Sequence, residues 1–290
     1  MFLQLIISGL SFGSLYALIA LAMVIIYKTS EVPNFGQGEM AMISTFVAYM
    51  LLVSYEHSFA LSFLGALVFA AALGAFLEFV FLRRAKEPNI LSLILITLGF
   101  QVILYGVASW KWGAEQRDLP FPVSDFDTVS LGSAVLSYLN AATLLITLIL
   151  MLLLFLFFRY TKVGIAMKAT QQNAMAARIN GIRTNRILSI TWGMSSIIGA
   201  VAGMLLAPIT TLDPNLMWDP LLKGFASAVL GGMTTLVGAA LGGYMLGIIE
   251  NLFGGYVSLE FKSVVAFGII VLVLCFKPSG LFARHYVRKV

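Results

Sequence analysis

LLITLILMLLLFLFF, residues 144–158, decides the fold class of this chain. It carries no charge and a single polar residue, Thr147. Its apolar side chains lack the alternation of a lipid-facing barrel strand. Lipid offers no partner to open sheet edges, so an uninterrupted run that extends back to about residue 138 reads as a membrane helix. About 20 apolar residues suffice to cross a hydrocarbon core. The run stops at RYTKVGIAMKATQQNAMAARINGIRTNR, residues 159–186, a polar, helix-forming insert with Arg159, Lys162, Lys168, Arg178, Arg183 and Arg186. Short turns are enough to join spans, so a patterned insert of this size reads as a surface offered to the cytosol.

Working outward, the same apolar character recurs at about 3–27, 40–54, 59–82, 89–109, 187–207, 221–253 and 261–276. Of 290 residues, 60% are hydrophobic and 11% charged, against roughly a quarter charged in soluble domains. The reading is all-α and polytopic: about eight hydrophobic helices, with one or two segments broken or re-entrant and related halves, in a single transmembrane domain over 1–290. Residues 3–27 lack a basic leader and a cleavage site and read as a retained span. Cys275 lies in an apolar run and reads as a buried, inert thiol. The net charge of +5 calls for no nucleic acid, because the basic residues fall where membrane topology places them.

Three basic clusters hold 13 of the 18 Lys and Arg: Arg83, Arg84 and Lys86; the six of the insert; and Lys277, Arg284, Arg288 and Lys289. These mark the cytosolic side. The segments 54–58, 110–137 and 208–220 carry Glu56, Glu115, Asp118, Asp125, Asp127, Asp213 and Asp219 and face outward. From an outward 208–220 to an inward C-terminus the crossings must be odd in number. The run 221–253 must therefore descend as a half-helix over 221–232 and return over 235–253, leaving 261–276 as the final crossing. Its glycines, from Gly231 and Gly232 to Gly247, serve either a break lining a path or close helix packing. A matching interruption, KTSEVPNFGQG at 28–38, precedes a short run. If 39–54 crosses fully the N-terminus is outside; if it is re-entrant the N-terminus is inside.

The chain carries no phosphate-binding loop, and His57 and His285 stand far apart in sequence. It is expected not to be an enzyme and to hold no cofactor or metal. Acids inside spans are functional candidates, but Glu78 sits five residues from Arg83 and reads as an ion pair. Glu250 suits an interfacial position as well as a buried one. Glu39 follows the Pro33/Gly36/Gly38 break and can cap a half-helix. Gln101 and Asn251 complete the set. In the insert, Met175, Ile179 and Ile182 form an apolar stripe on a short helix ended by Gly181. Two readings stand for it: a helix lying on anionic membrane lipid, or one that docks on a cytosolic partner. Trp110 and Trp112 read as interfacial anchors.

Several separated motifs together resemble LivH-type permease subunits of branched-chain amino acid ABC importers. They are PNFGQGE at 33–39, Glu78 with Arg83, TLG at 97–99, GIAMKA at 164–169 with Gly181 and Ile182, Ala202 and Gly203 with Ala207 and Pro208, AVLGG at 228–232, GAALGG at 238–243, and FKPSGLF at 276–282. The resemblance covers nearly the whole chain. It implies a pathway subunit in a bacterial inner membrane, with the C-terminus cytosolic. The implied partners are a second, LivM-like permease, two cytosolic ATP-binding subunits that hold ATP and Mg, and a periplasmic substrate-binding protein. Gly164, Lys168, Ala174, Met175, Ala177, Arg178 and Gly181 would then contact the ATPase. Asn34, Phe35, Gly36, Gln37, Glu39, Thr97, Gly231 and Gly232 are the candidates for the pathway wall. Gln37 stands where the family often has His, and Asn173 and Met175 where it often has acids. The implied cargo is a hydrophobic amino acid or a related small amide or acid. The alternatives are an ion-coupled secondary transporter, disfavoured by the scarcity of intramembrane ionisable groups, and a non-transport scaffold, which leaves the paired breaks unexplained.

Overall fold

The computed structural model describes residues 1–85, 89–123, 127–131 and 134–282. Lys86, Asp125, Arg284, His285, Arg288 and Lys289 lie outside the described residues. Helix α1, Phe2–Ser30, is apolar on every side and buried on nearly every side from Gly9 to Ile26, as a central helix must be. It closes on Glu31, whose φ of 57° turns the chain. Helix α2, Gln37–Tyr49, runs on through a widened turn at Met50–Ser54. Helix α3, Phe59–Leu77, ends in a similar turn at Glu78–Leu82. Helix α4, Ile90–Trp112, starts at Asn89, whose side chain accepts from the Ser92 amide at 2.7 Å. An antiparallel hairpin follows, β1 Thr128–Leu131 and β2 Ala134–Ser137.

Helix α5, Tyr138–Tyr160, contains the opening apolar run. The basic insert forms two helices, α6 Lys162–Gln172 and α7 Ala174–Ile179, where the sequence reading had one. Asn173 is the reason: its extended backbone ends α6, and its Oδ1 accepts from the Ala176 amide at 2.9 Å to start α7. Helices α8 Thr184–Leu206, α9 Trp218–Gly231, α10 Leu236–Tyr256 and α11 Lys262–Phe276 complete the described chain. Among the described residues seven helices, counting α2 and α3 with their widened turns, are long and apolar enough to cross a membrane. The protein is a multi-pass, all-α membrane protein. The hairpin at 128–137 was not anticipated from sequence.

The molecule has two chemically distinct ends. The Gln4 side chain exchanges two hydrogen bonds with the Val135 backbone, of 2.9 and 2.7 Å, so α1 starts beside the hairpin. Helix α10 runs antiparallel to α1, with Gly9 against Ile248, Gly13 against Tyr244 and Ala17 against Gly243. The α9–α10 turn therefore lies at the far end, where the Leu281 and Phe282 amides donate to Leu230 and Gly231. Arg159 and Lys168 line one cavity with that turn. Helix α2 carries the chain back, since Ala48 and Leu52 share a small cavity with Leu119 of the acidic segment. Residues 37–54 thus traverse, and the N-terminus shares an end with residues 110–137.

The 221–253 run is broken as expected. Gly232 makes the turn with a φ of 105°, open to glycine. The other glycines serve packing: a Cβ on Gly247 would strike the Gly13 backbone, and one on Gly231 the Gly238 carbonyl. Cys275 is exposed, contrary to expectation, because α11 is an outer helix resting mainly on α9 and α10.

Candidate functional site

The first interruption, between α1 and α2, is tied into the core. Asn34, Gln37 and Thr97 are fully buried. Asn34 Nδ2 donates to Gln37 Oε1 at 3.0 Å, and Asn34 Oδ1 accepts from the Gly36 amide at 3.1 Å. Gln37 Nε2 donates to the Ser195 carbonyl at 3.1 Å, while Ser195 Oγ bonds both Gln37 Oε1 and the Ala22 carbonyl. The Phe35 amide reaches Thr97 Oγ1 at 3.4 Å, and the Phe35 ring lies 6.3 Å from Phe225. A Cβ on Gly36 would press on the Thr97 carbonyl. This network pins the start of α2 to α1, α4 and α8, and a buried network satisfied in this way is rigid.

Two residues on, Glu39 leaves that network and reaches an open cleft. The cleft, about 570 Å³, is lined by Glu39, Gln101, Val102, Tyr105, Asn215, Trp218 and Asp219. Gln101 Nε2 donates to Glu39 Oε1 at 3.0 Å. Among the described residues Glu39 Oε2 has no hydrogen-bond partner, and Glu39 is only 6% exposed. Glu39 also sits in the first turn of α2, where the helix dipole favours a carboxylate. Gln101 is at the centre of α4, so the cleft lies at mid-depth. Gly231 and Gly232 are remote from it, at the α9–α10 turn.

Behind the cleft is a charge cluster that sequence reasoning missed. Lys223 Nζ pairs with Asp219 Oδ2 at 2.6 Å and with Glu250 Oε1 at 2.5 Å. The Tyr16 ring lies 5.5 Å from Lys223 Nζ. Lys262 Nζ donates to Asn251 Oδ1 at 3.3 Å. Glu250 is wholly buried. Lys223 was hidden inside a run counted as apolar; the available signal was Asp219, one helical turn earlier. Glu78 follows expectation: Arg83 donates twice to it, at 3.1 and 2.7 Å, and Ser189 joins them, clamping α3 to α8.

The basic insert presents a separate surface. Met175 and Ile179 are 67% and 79% exposed, whereas Ile182 turns inward past Gly181, whose φ is 81°. Ala174 is exposed and Ala177 buried. Arg178 Nε donates to Thr184 Oγ1 at 2.7 Å, bracing α7 on α8. Gly164 allows α6 to meet the end of α5 at Phe157, and Lys168 is exposed. Trp110 is 87% exposed, while Trp112 stacks on Phe46 with centroids 4.7 Å apart.

Comparison with known proteins returned matches along the chain. The family model "branched-chain amino acid transport system / permease component" matches residues 5–274. The chain is 32% identical, over 100% of its length and 98% of the relative's, to the high-affinity branched-chain amino acid transport system permease protein LivH of Escherichia coli K12. It is 29% identical, with the same coverage, to the permease protein BraD of Pseudomonas aeruginosa. Among solved structures, PsaBC from Streptococcus pneumoniae in complex with Fab matches with a TM-score of 0.52 and 14% identity, over 96% of this chain and 93% of that one, a likeness of fold.

Proposed function

Because the chain belongs to the family of branched-chain amino acid transport system permease components, we propose that it forms part of the transmembrane pathway of an ATP-driven ABC importer in the bacterial inner membrane. Its partners in this reading are a second, LivM-like permease, two cytosolic ATPases that bind ATP and Mg, and a periplasmic binding protein. The end carrying Arg83, Arg159 and the insert faces the cytosol, as basic loops do, and Leu281 and Phe282 lie there too.

The observation that carries this reading is the cleft at Glu39. Glu39, Gln101 and Asp219 open at mid-depth on an outer face, with the Asp219 side chain 53% exposed. Hydrocarbon is a costly neighbour for such groups, so a second permease covers this face and leaves a polar path between the two. Asp219 is neutralised by Lys223, and Lys223 also serves Glu250. Of the two carboxylates that line the cleft, Glu39 is the one without a cation among the described residues. It suits the ammonium group of an amino acid, with Val102, Tyr105 and Trp218 beside the apolar side chain. An amide or a simple acid offers Glu39 no positive charge.

Contiguity supports coupling. Helix α7 is braced on α8 through Arg178 and Thr184, and α8 carries Ser195, which holds Gln37 at the root of α2. Met175 and Ile179 are the apolar groups offered to an ATPase.

The test is ATP-driven leucine uptake in proteoliposomes holding the chain with its co-encoded permease, ATPases and binding protein. Uptake is expected, with E39Q lowering it at least tenfold at unchanged ATPase content. Uptake that persists without ATPases under an ion gradient would replace this reading with a secondary transporter. Wild-type uptake with E39Q unaffected would remove Glu39 from the pathway.

A further inference from the structure

Between α5 and α10, with α1 as its floor, lies a crevice of about 990 Å³. Leu21, Met151, Leu154, Leu241 and Tyr244 are among its walls. At the basic end it is rimmed by Lys28, Arg159 and Lys168, beside Thr234 and Thr235 of the α9–α10 turn. Among the described residues none of the three cations is paired with a carboxylate. Lys28 and Lys168 border one further small gap together, and so stand close without a counter-charge. Arg159 lies along aromatic faces, its guanidinium 5.8 Å from the Phe155 ring and 5.5 Å from that of Tyr160. Thr235 precedes α10 without a side-chain cap, so the first amides of that helix also point toward this end.

We propose that this crevice is a binding site for an anionic glycerophospholipid, with one acyl chain along α1 between α5 and α10 and the headgroup phosphate among Lys28, Arg159 and Lys168. Two halves of the site ask for one molecule. The apolar part offers water too few polar partners to hold it there, and an alkyl chain fills it. The cationic rim needs an anion at the depth of the headgroups. Basic pockets between transmembrane helices are a recognised way of holding such headgroups. The site is remote from the Glu39 cleft, on other helices, and stands whether or not the chain transports amino acids.

The test is native mass spectrometry of the purified chain extracted from nanodiscs of equal phosphatidylglycerol and phosphatidylcholine. One tightly held phosphatidylglycerol per chain is expected. K28Q and R159Q should each weaken its retention about fivefold, and the pair more, with folding checked by circular dichroism. Leu241→Trp, which fills the apolar part, should lower retention of either lipid. Equal retention of both lipids by the wild-type chain would overturn the proposal, as would K28Q/R159Q retaining phosphatidylglycerol like the wild type. A co-purifying second protein chain with no lipid would show that the crevice is a subunit contact instead.

Discussion

Among single residues, Lys223 does most to set the character of the interior. It bridges Asp219 and Glu250 at mid-depth, where an ionised group without a partner is costly. Truncating one member of such a cluster leaves a buried charge, whereas removing both charges leaves none. K223M should therefore cost about 3–5 kcal/mol and lower the midpoint of thermal unfolding in detergent, and K223M/E250Q should regain most of the loss. An unchanged midpoint for K223M would mean that Glu250 is neutral or hydrated. The sequence displayed Lys223 openly, but a hydropathy window averages one lysine away. Glu39 shows the opposite case. Its place after a Pro/Gly break marked it in the sequence, yet only packing separates it from its neighbours. Asn34, Gln37 and Thr97 belong to the same motifs and are buried in hydrogen bonds, while Glu39 alone among them reaches the cleft.

At the scale of elements, the basic insert was legible as a helical surface segment but not as two helices. The break at Asn173 follows from its side chain, which competes with the backbone for the Ala176 amide. That break leaves Met175 and Ile179 as the exposed apolar pair of α7, and buries Ala177. A bulky residue at 177 would disturb folding and so says nothing about docking. M175D/I179D is the cleaner probe of the proposed ATPase contact. Both side chains are exposed, so expression and unfolding temperature should stay at wild-type values while co-purification of the ATPase falls at least tenfold. Full retention of the ATPase would exclude this face as the contact. The glycine-rich run shows why one motif supported two readings. Gly232 serves the turn and Gly243 and Gly247 serve the contact with α1, and the sequence alone does not divide the labour.

At the scale of the whole molecule, the arrangement of α1 settles which end the N-terminus occupies. Gln4 is held by Val135 of the hairpin, so the N-terminus lies with the acidic loops. With Cys275 replaced by Ser, F2C should react with a membrane-impermeant maleimide on intact spheroplasts, and K162C only after permeabilisation. The reverse pattern would invert the proposed topology. The membrane class, the number and rough limits of the apolar segments, the two breaks and the charge asymmetry of the ends were all determined by the sequence itself. Each depends on local composition, and a hydrocarbon solvent enforces composition strictly. The tertiary structure decided what depends on contacts between distant segments. It made α1 the buried centre and brought Glu39, Gln101 and Asp219 to one cleft from three helices. It also set Lys223 between two acids and lined the crevice between α5 and α10 with cations that pair with no carboxylate among the described residues. No local pattern encodes these meetings, because each arises where helices far apart in sequence pack, and the glycines of α10 let that packing close on α1.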